Sequence, residues 1–183
     1  MKKLLCVCVA LVMVGALLPA VAAADELKME EERAERRQEV AKAIATMSRL
    51  MTTFDYISFY LSGPAVVLEG FTTKPTIREN AEDSVKALPW VNHVVNKIEQ
   101  LSIEPTVNEI RGEVLSIVQK ASPQSFPQGR AYIRIKVDKD MNVALAGWAD
   151  PGDKVRLEAA VVRIQNLPLV KKVDNHVLFQ KLD

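Results

Sequence analysis

The sequence predicts an α+β protein made of two tandem copies of one small unit, each reading helix, strand, strand, helix, strand. Three observations predict it. Apolar spacing switches between helical and strand periods twice over along the chain. Proline and glycine punctuate both halves at corresponding places. Three short motifs recur in the same order: Leu68-Glu69-Gly70-Phe71 with Leu145-Ala146-Gly147-Trp148, Leu88-Pro89-Trp90-Val91 with Leu167-Pro168-Leu169-Val170, and Val94-Val95-Asn96 with Val173-Asp174-Asn175.

Ahead of the repeat, Met1-Lys2-Lys3 is followed by an apolar run from Leu4 to Val21, then Ala22-Ala23-Ala24 before Asp25. A positive start, a greasy core and small residues at a break are the order of a secretory signal peptide over residues 1–24. Cleavage is placed after Ala24, with Ala22 and Ala23 as near alternatives. The competing reading is a retained anchor, because the run nearly reaches the roughly 20 residues that span a bilayer. The two cysteines, Cys6 and Cys8, fall inside this leader, so the exported chain is expected to have no thiol, disulfide or cysteine metal ligand. No cysteine stands at the cleavage point, so no lipid-modified terminus is expected. Loss of Lys2 and Lys3 leaves 22 basic against 23 acidic side chains, a net charge of −1. There is no basic excess to draw in nucleic acid.

Residues 25–39 read as a charged helical lead-in, either a frayed, solvated helix start or a tether. Glu32 and Arg36 make a favourable i,i+4 pair, while Glu31 with Glu35 and Glu35 with Glu39 repel. Val40, Ile44, Met47 and Met51 then recur at helical spacing, which predicts a helix from about 30 to 51. A β-hairpin follows between Phe54 and Phe71, broken at Ser62-Gly63-Pro64. Thr76 and Glu79 have capping-box spacing, and Ile77, Ala81, Val85 and Leu88 form the stripe of a helix that Pro89 stops. Val91 to about Ser102 predicts a third strand.

The second round opens at Pro105, with Thr106 and Glu109 again at capping-box spacing. Val107, Ile110, Val114, Ile117, Val118 and Ala121 form the cleanest helical stripe in the chain. Strands are expected at Ala131–Val137 and Val143–Trp148. Asp150 then caps a helix with Pro151 at its first position. That helix turns Leu157, Ala160, Val161, Ile164 and Leu167 inward and stops at Pro168, before a last strand over Val170–Phe179. Gly70 and Gly147, each at a strand end, read as positions of positive φ or close backbone approach. Asn96 and Asn175 read as side chains that satisfy nearby backbone groups.

The recurring pattern Val-x-Leu-x-Gly-(Phe or Trp), an amphipathic helix, then Leu-Pro-x-Val-x-x-Val-x-Asn-x-(Ile or Val) resembles the BON domain. The resemblance implies an αββαβ fold, in which a small three-stranded sheet is packed by two helices. It covers a first unit over residues 36–102 and a second over 105–183. The family usually carries a Gly-Val pair before the last strand; here Pro89-Trp90-Val91 and Pro168-Leu169-Val170 replace it. The resemblance also implies a periplasmic or envelope location and binding to phospholipid surfaces in stress or envelope maintenance.

The residues themselves offer little chemistry. His93 and His176 fall at different places in the repeat, the exported chain has no cysteine nucleophile, and neither a Gly-x-Ser-x-Gly elbow nor a phosphate-binding Gly-x-x-x-x-Gly-Lys loop occurs. No enzyme activity, metal or cofactor is expected. The expected partner is an anionic phospholipid surface, or alternatively envelope proteins bound by a soluble periplasmic interaction or holdase-type stress protein. The candidate contact residues are Trp90 and Trp148, as interfacial aromatics, with the basic side chains Lys154, Arg156, Lys171 and Lys172.

Overall fold

The computed structural model describes residues 4–128 and 130–181, with side chains from Asp25 onward. The signal-peptide reading therefore falls mostly outside the described residues: Met1–Lys3 are not described, and 4–24 enter only as the backbone of a helix. The chain divides into two compact units, Met1–Lys42 and Ala43–Asp183.

Helix α1 runs over Leu4–Ala45. In its charged stretch Arg36 lies 3.9 Å from Glu32 and Arg33 3.5 Å from Glu30. The helix ends six residues short of the expected Met51. From there the backbone tightens to i→i−3 bonds, Met47 N–H to Ile44 O and Ser48 N–H to Ala45 O. The Thr46 hydroxyl competes by donating to Ala43 O at 2.7 Å.

The second unit is mixed α+β with two small sheets. Strands β1 (Tyr56–Ser62) and β2 (Ala65–Thr72) form an antiparallel hairpin with Leu61 opposite Val66 and Ile57 opposite Gly70. Helix α2 (Pro75–Lys86) crosses over, and β3 (His93–Asn96) and the short β4 (Glu99–Gln100) return parallel to β2. The expected single third strand is thus interrupted at Lys97-Ile98, where the Asn96 carboxamide oxygen accepts the Ile98 N–H at 3.1 Å. Helix α3 (Pro105–Ala121) leads into β5 (Ile133–Val137) and β6 (Asn142–Ala149), an antiparallel pair. Helix α4 (Lys154–Gln165) then returns the chain to β7 (Lys172–Phe179), parallel to β6.

The helix starts differ from expectation. Neither capping box forms. Pro75 and Pro105 take the first helical position, so Thr76 and Thr106 fall one place inside the helix and make no cap bond. At the third start Asp150 does cap, accepting the Gly152 N–H at 2.8 Å, and Pro151–Asp153 winds as one 3₁₀ turn before α4.

Each sheet buries one face. The α3 stripe Val107, Ile110, Val114, Ile117, Val118 and Ala121 packs with Leu157, Ala160 and Ile164 of α4 onto Ile133, Ile135, Val137, Val143, Leu145 and Val177. Full burial of a side chain such as Leu145 contributes about 2 kcal/mol. In the first half of the unit Val66, Leu68 and Val94 of the sheet and Ile77, Ala81 and Val85 of α2 are likewise buried.

Backbone details correspond between the two sheets. Gly70 has φ 130° and Gly147 φ 120°. A Cβ on Gly70 would overlap the carbonyl of Tyr56, and one on Gly147 that of Tyr132. Asn175 accepts the Val177 N–H at 3.1 Å, as Asn96 does for Ile98. Beyond α2 and α4, both Leu-Pro-x-Val segments close a turn, Val91 N–H to Leu88 O at 3.1 Å and Val170 N–H to Leu167 O at 3.3 Å, with Pro89 and Pro168 inside. They differ in one respect: Leu169 takes φ 74°, the left-handed region that usually goes to glycine, and Trp90 does not.

Candidate functional site

The two sheets are joined directly. The segment Thr52–Asp55 lies along the edge strand β5: Ile135 N–H donates to Thr53 O at 2.9 Å, and the Thr53 hydroxyl donates to Ile133 O at 2.8 Å. Arg134 adds a bond from Nη1 to Thr52 O at 2.7 Å. Asp55, fully buried, holds the turn by accepting from Thr52, Thr72 and Thr73. Burial pushes the Asp55 carboxyl up, but those hydrogen bonds outweigh it and hold the group below the usual carboxylate range. On the other side of the joint, Arg111 is only 2% exposed. It donates to Ser102 O at 2.6 Å, Asn108 Oδ1 at 2.7 Å and Val137 O at 2.8 Å, fastening the chain after β4 to the end of β5. Lys136 pairs with Glu99 and lies 5.9 Å from the centroid of the Phe71 ring. The sheets are therefore fixed relative to each other by buried bonds as well as by a short connection.

This joint leaves an open cleft of about 1280 Å³ beside it. Its walls come from the segment Ser48–Thr53, the start of β1, one side of α3, the segment before β5 and the outer face of the second sheet. Tyr56, Phe71, Phe126, Tyr132 and Trp148 supply rings; Arg49, Arg130 and Arg134 supply charge; among the described residues no Asp or Glu lines it. Among the described residues none of the three arginines forms an ion pair. Two of the lining residues, Trp148 and Leu178, are register partners on β6 and β7, and they remain 44% and 62% exposed.

The candidate residues named from sequence are not brought together. Trp148 lies at this cleft, on the solvent face of the second sheet. Trp90 is half-buried in the turn after α2, in the other sheet's half. Lys154 opens α4, with its Nζ 5.9 Å from the Phe179 ring centroid, and Arg156 is engaged by Asp153. Lys171 and Lys172 stand at the opposite end of β7, and Lys172 pairs with Asp174 at 2.9 Å. Eight strand residues separate these two basic groups by roughly 23 Å. They form no single patch. His93 and His176 are both exposed on strands, and only His176 reaches the cleft.

A buried polar cluster supports Trp148 from behind. Ser122 donates to Asp153 at 2.6 Å and lies 2.7 Å from the Ser125 hydroxyl, which in turn donates to Trp148 O at 3.3 Å. Burial raises the Asp153 carboxyl, and the Ser122 hydroxyl and the Arg156 guanidinium outweigh it, so the group is held below its ordinary value. These bonds tie the turn before the 3₁₀ segment Pro123–Ser125 to the start of α4 and to the end of β6. Among the described residues no group of three or more His, Cys, Asp or Glu side chains could hold a metal.

Arg49, Arg130 and Arg134 were not singled out by sequence. The one signal was alternation in β5, where Ile133, Ile135 and Val137 face the core and Arg134 and Lys136 must face away.

Comparison of the sequence with protein-family models and with curated proteins finds no match. Among solved structures it is similar to CdsD, a structural protein of the type III secretion system of Chlamydia trachomatis. The identity is 12%, the match covers 79% of this chain and 91% of that one, and the TM-score is 0.28. The C-terminal domain of CdsD gives the same identity and TM-score over 79% of this chain and 96% of that one. A TM-score of 0.28 is too low to bear on the function of this chain.

Proposed function

We propose that this chain is an exported, non-enzymatic envelope protein of two tandem BON-like αββαβ units that binds anionic phospholipid surfaces. The signal-peptide pattern and the recurring motifs support the location and the repeat. So do the matched glycines, the matched asparagine bonds and the matched Leu-Pro-x-Val turns of the two sheets. The observation that carries the binding reading is the exposed pair Trp148–Leu178 beside a cleft with three arginines and, among the described residues, no carboxylate. An aromatic and an aliphatic side chain displayed together suit the boundary between headgroups and acyl chains, and each nearby arginine adds about 1 kcal/mol on an anionic surface. Co-sedimentation with anionic and zwitterionic liposomes at low and moderate salt tests it. Salt-sensitive binding to the anionic vesicles supports the reading; failure on every composition sinks it.

A second reading is a soluble protein-interaction or holdase-type stress protein. It is favoured by the outer side of α4, where Val155 and Val162 stand 76% and 62% exposed two turns apart. Suppression of client aggregation without lipid affinity would select it.

A further inference from the structure

Resting on the lipid-binding reading, we propose that the cleft between the sheets is a site for one molecule of a monomeric anionic phospholipid, its phosphate held by Arg49, Arg130 and Arg134 and its acyl chains laid against Tyr56, Tyr132 and Trp148. The chain carries nearly equal numbers of acidic and basic residues, 23 and 24, yet among the described residues the cleft takes arginines alone. Arg134 already feels the buried Asp55 carboxylate, while Arg49 and Arg130 are exposed and add positive charge to the concave wall, which attracts an anion; a guanidinium matches a phosphate with two parallel bonds. Arg134 is preset for this: one of its amino groups is tied to Thr52 O at 2.7 Å, which fixes the plane of the rest.

The size of the cleft then selects the kind of anion. At about 1280 Å³ it exceeds the usual range for a small ligand, roughly 300–1000 Å³, and is far too large for a bare phosphate. Rings lining the wall offer apolar contact that an inorganic ion could not use. A phosphate joined to acyl chains satisfies both halves of the lining. Trp148 and Leu178, the exposed pair assigned above to the bilayer boundary, are themselves part of the cleft lining, so the apolar wall of the cleft continues to a surface that faces the membrane in that reading.

Calorimetric titration of the purified protein with dihexanoylphosphatidylglycerol, kept below its micellar concentration, tests the proposal. The expected result is saturable binding of one molecule per chain. Dihexanoylphosphatidylcholine should bind at least about tenfold more weakly, and inorganic phosphate about a hundredfold more weakly. Arg49 and Arg130 are exposed, so Arg49→Gln with Arg130→Gln should fold normally by circular dichroism and lose about tenfold in affinity for the anionic lipid. No saturable binding, equal affinity for the two lipids, phosphate binding as tightly as lipid, or an unchanged double variant would each overturn it. Liposome co-sedimentation of the same samples separates the two claims. If vesicles still bind while the monomer does not, the cleft site fails and the surface reading stands; if neither binds, both fail.

Discussion

The hydroxyl of Thr53 donates to the backbone carbonyl of Ile133 at 2.8 Å, joining two residues eighty positions apart. With the Ile135 N–H returned to Thr53 O at 2.9 Å, this lays the end of the first connecting segment along the otherwise open edge of β5. An unpaired edge strand invites pairing with other chains, and here it is covered from within. Thr53→Val keeps the shape and removes the hydroxyl. It is expected to destabilise the protein by about 1–2 kcal/mol in urea unfolding, the cost of leaving a buried carbonyl short of a donor.

Asp55 gives that segment a pH dependence. Its carboxyl in the folded protein lies below the value near 3.9 that it has in an unfolded chain. Its stabilisation is therefore fully present above about pH 4 and is lost as the pH falls through the folded-state value. Unfolding free energy measured from pH 7 down to pH 2 should fall below about pH 4. Asp55→Asn should be less stable at pH 7 and should show a flatter acid limb.

Gly70 and Gly147 face the same constraint in the two sheets. Either one changed to alanine would press a Cβ on a strand carbonyl at a positive φ. Each substitution is expected to cost at least about 2 kcal/mol, by strain and local strand separation. Similar losses at the two sites, read by thermal unfolding, would fit equivalent roles; a neutral result at either would contradict the stated geometry.

Leu169 offers the opposite change. It pays about 1–2 kcal/mol for a left-handed backbone while 60% exposed, so little packing holds it there. Leu169→Gly is expected to raise stability by up to about 1 kcal/mol after glycine's own entropic cost of roughly 0.5–1 kcal/mol. A fall in melting temperature would mean that Leu169 makes a contact worth more than its strain.

These sites also show what was legible in the sequence. The α3 stripe from Val107 to Ala121 and the alternation of Ile133, Ile135 and Val137 state local periods, and local periods were enough to place most helices and strands. Helix starts were harder: a proline at the first position outranked the threonine capping signals at Thr76 and Thr106. Arg111 was unreadable, because an arginine on a helix is ordinarily solvated, and its burial depends on acceptors from Ser102 and Val137 that only the tertiary fold supplies. The same holds for the site. Local periods say nothing of where Lys154 lies relative to Lys172; the parallel pairing of β6 and β7 sets them at opposite ends of a strand. Arg49, Arg130 and Arg134 line one cleft only because the joint brings three separate segments together.

The most direct test of the lipid-binding account uses Trp148 as its own reporter. Trp90→Phe leaves it the sole tryptophan. Its fluorescence is followed while the protein is titrated with anionic vesicles whose acyl chains carry bromine. The account requires saturable quenching, abolished by high salt and absent with zwitterionic vesicles of the same chains. Folded protein whose Trp148 emission is untouched by brominated anionic vesicles would contradict it.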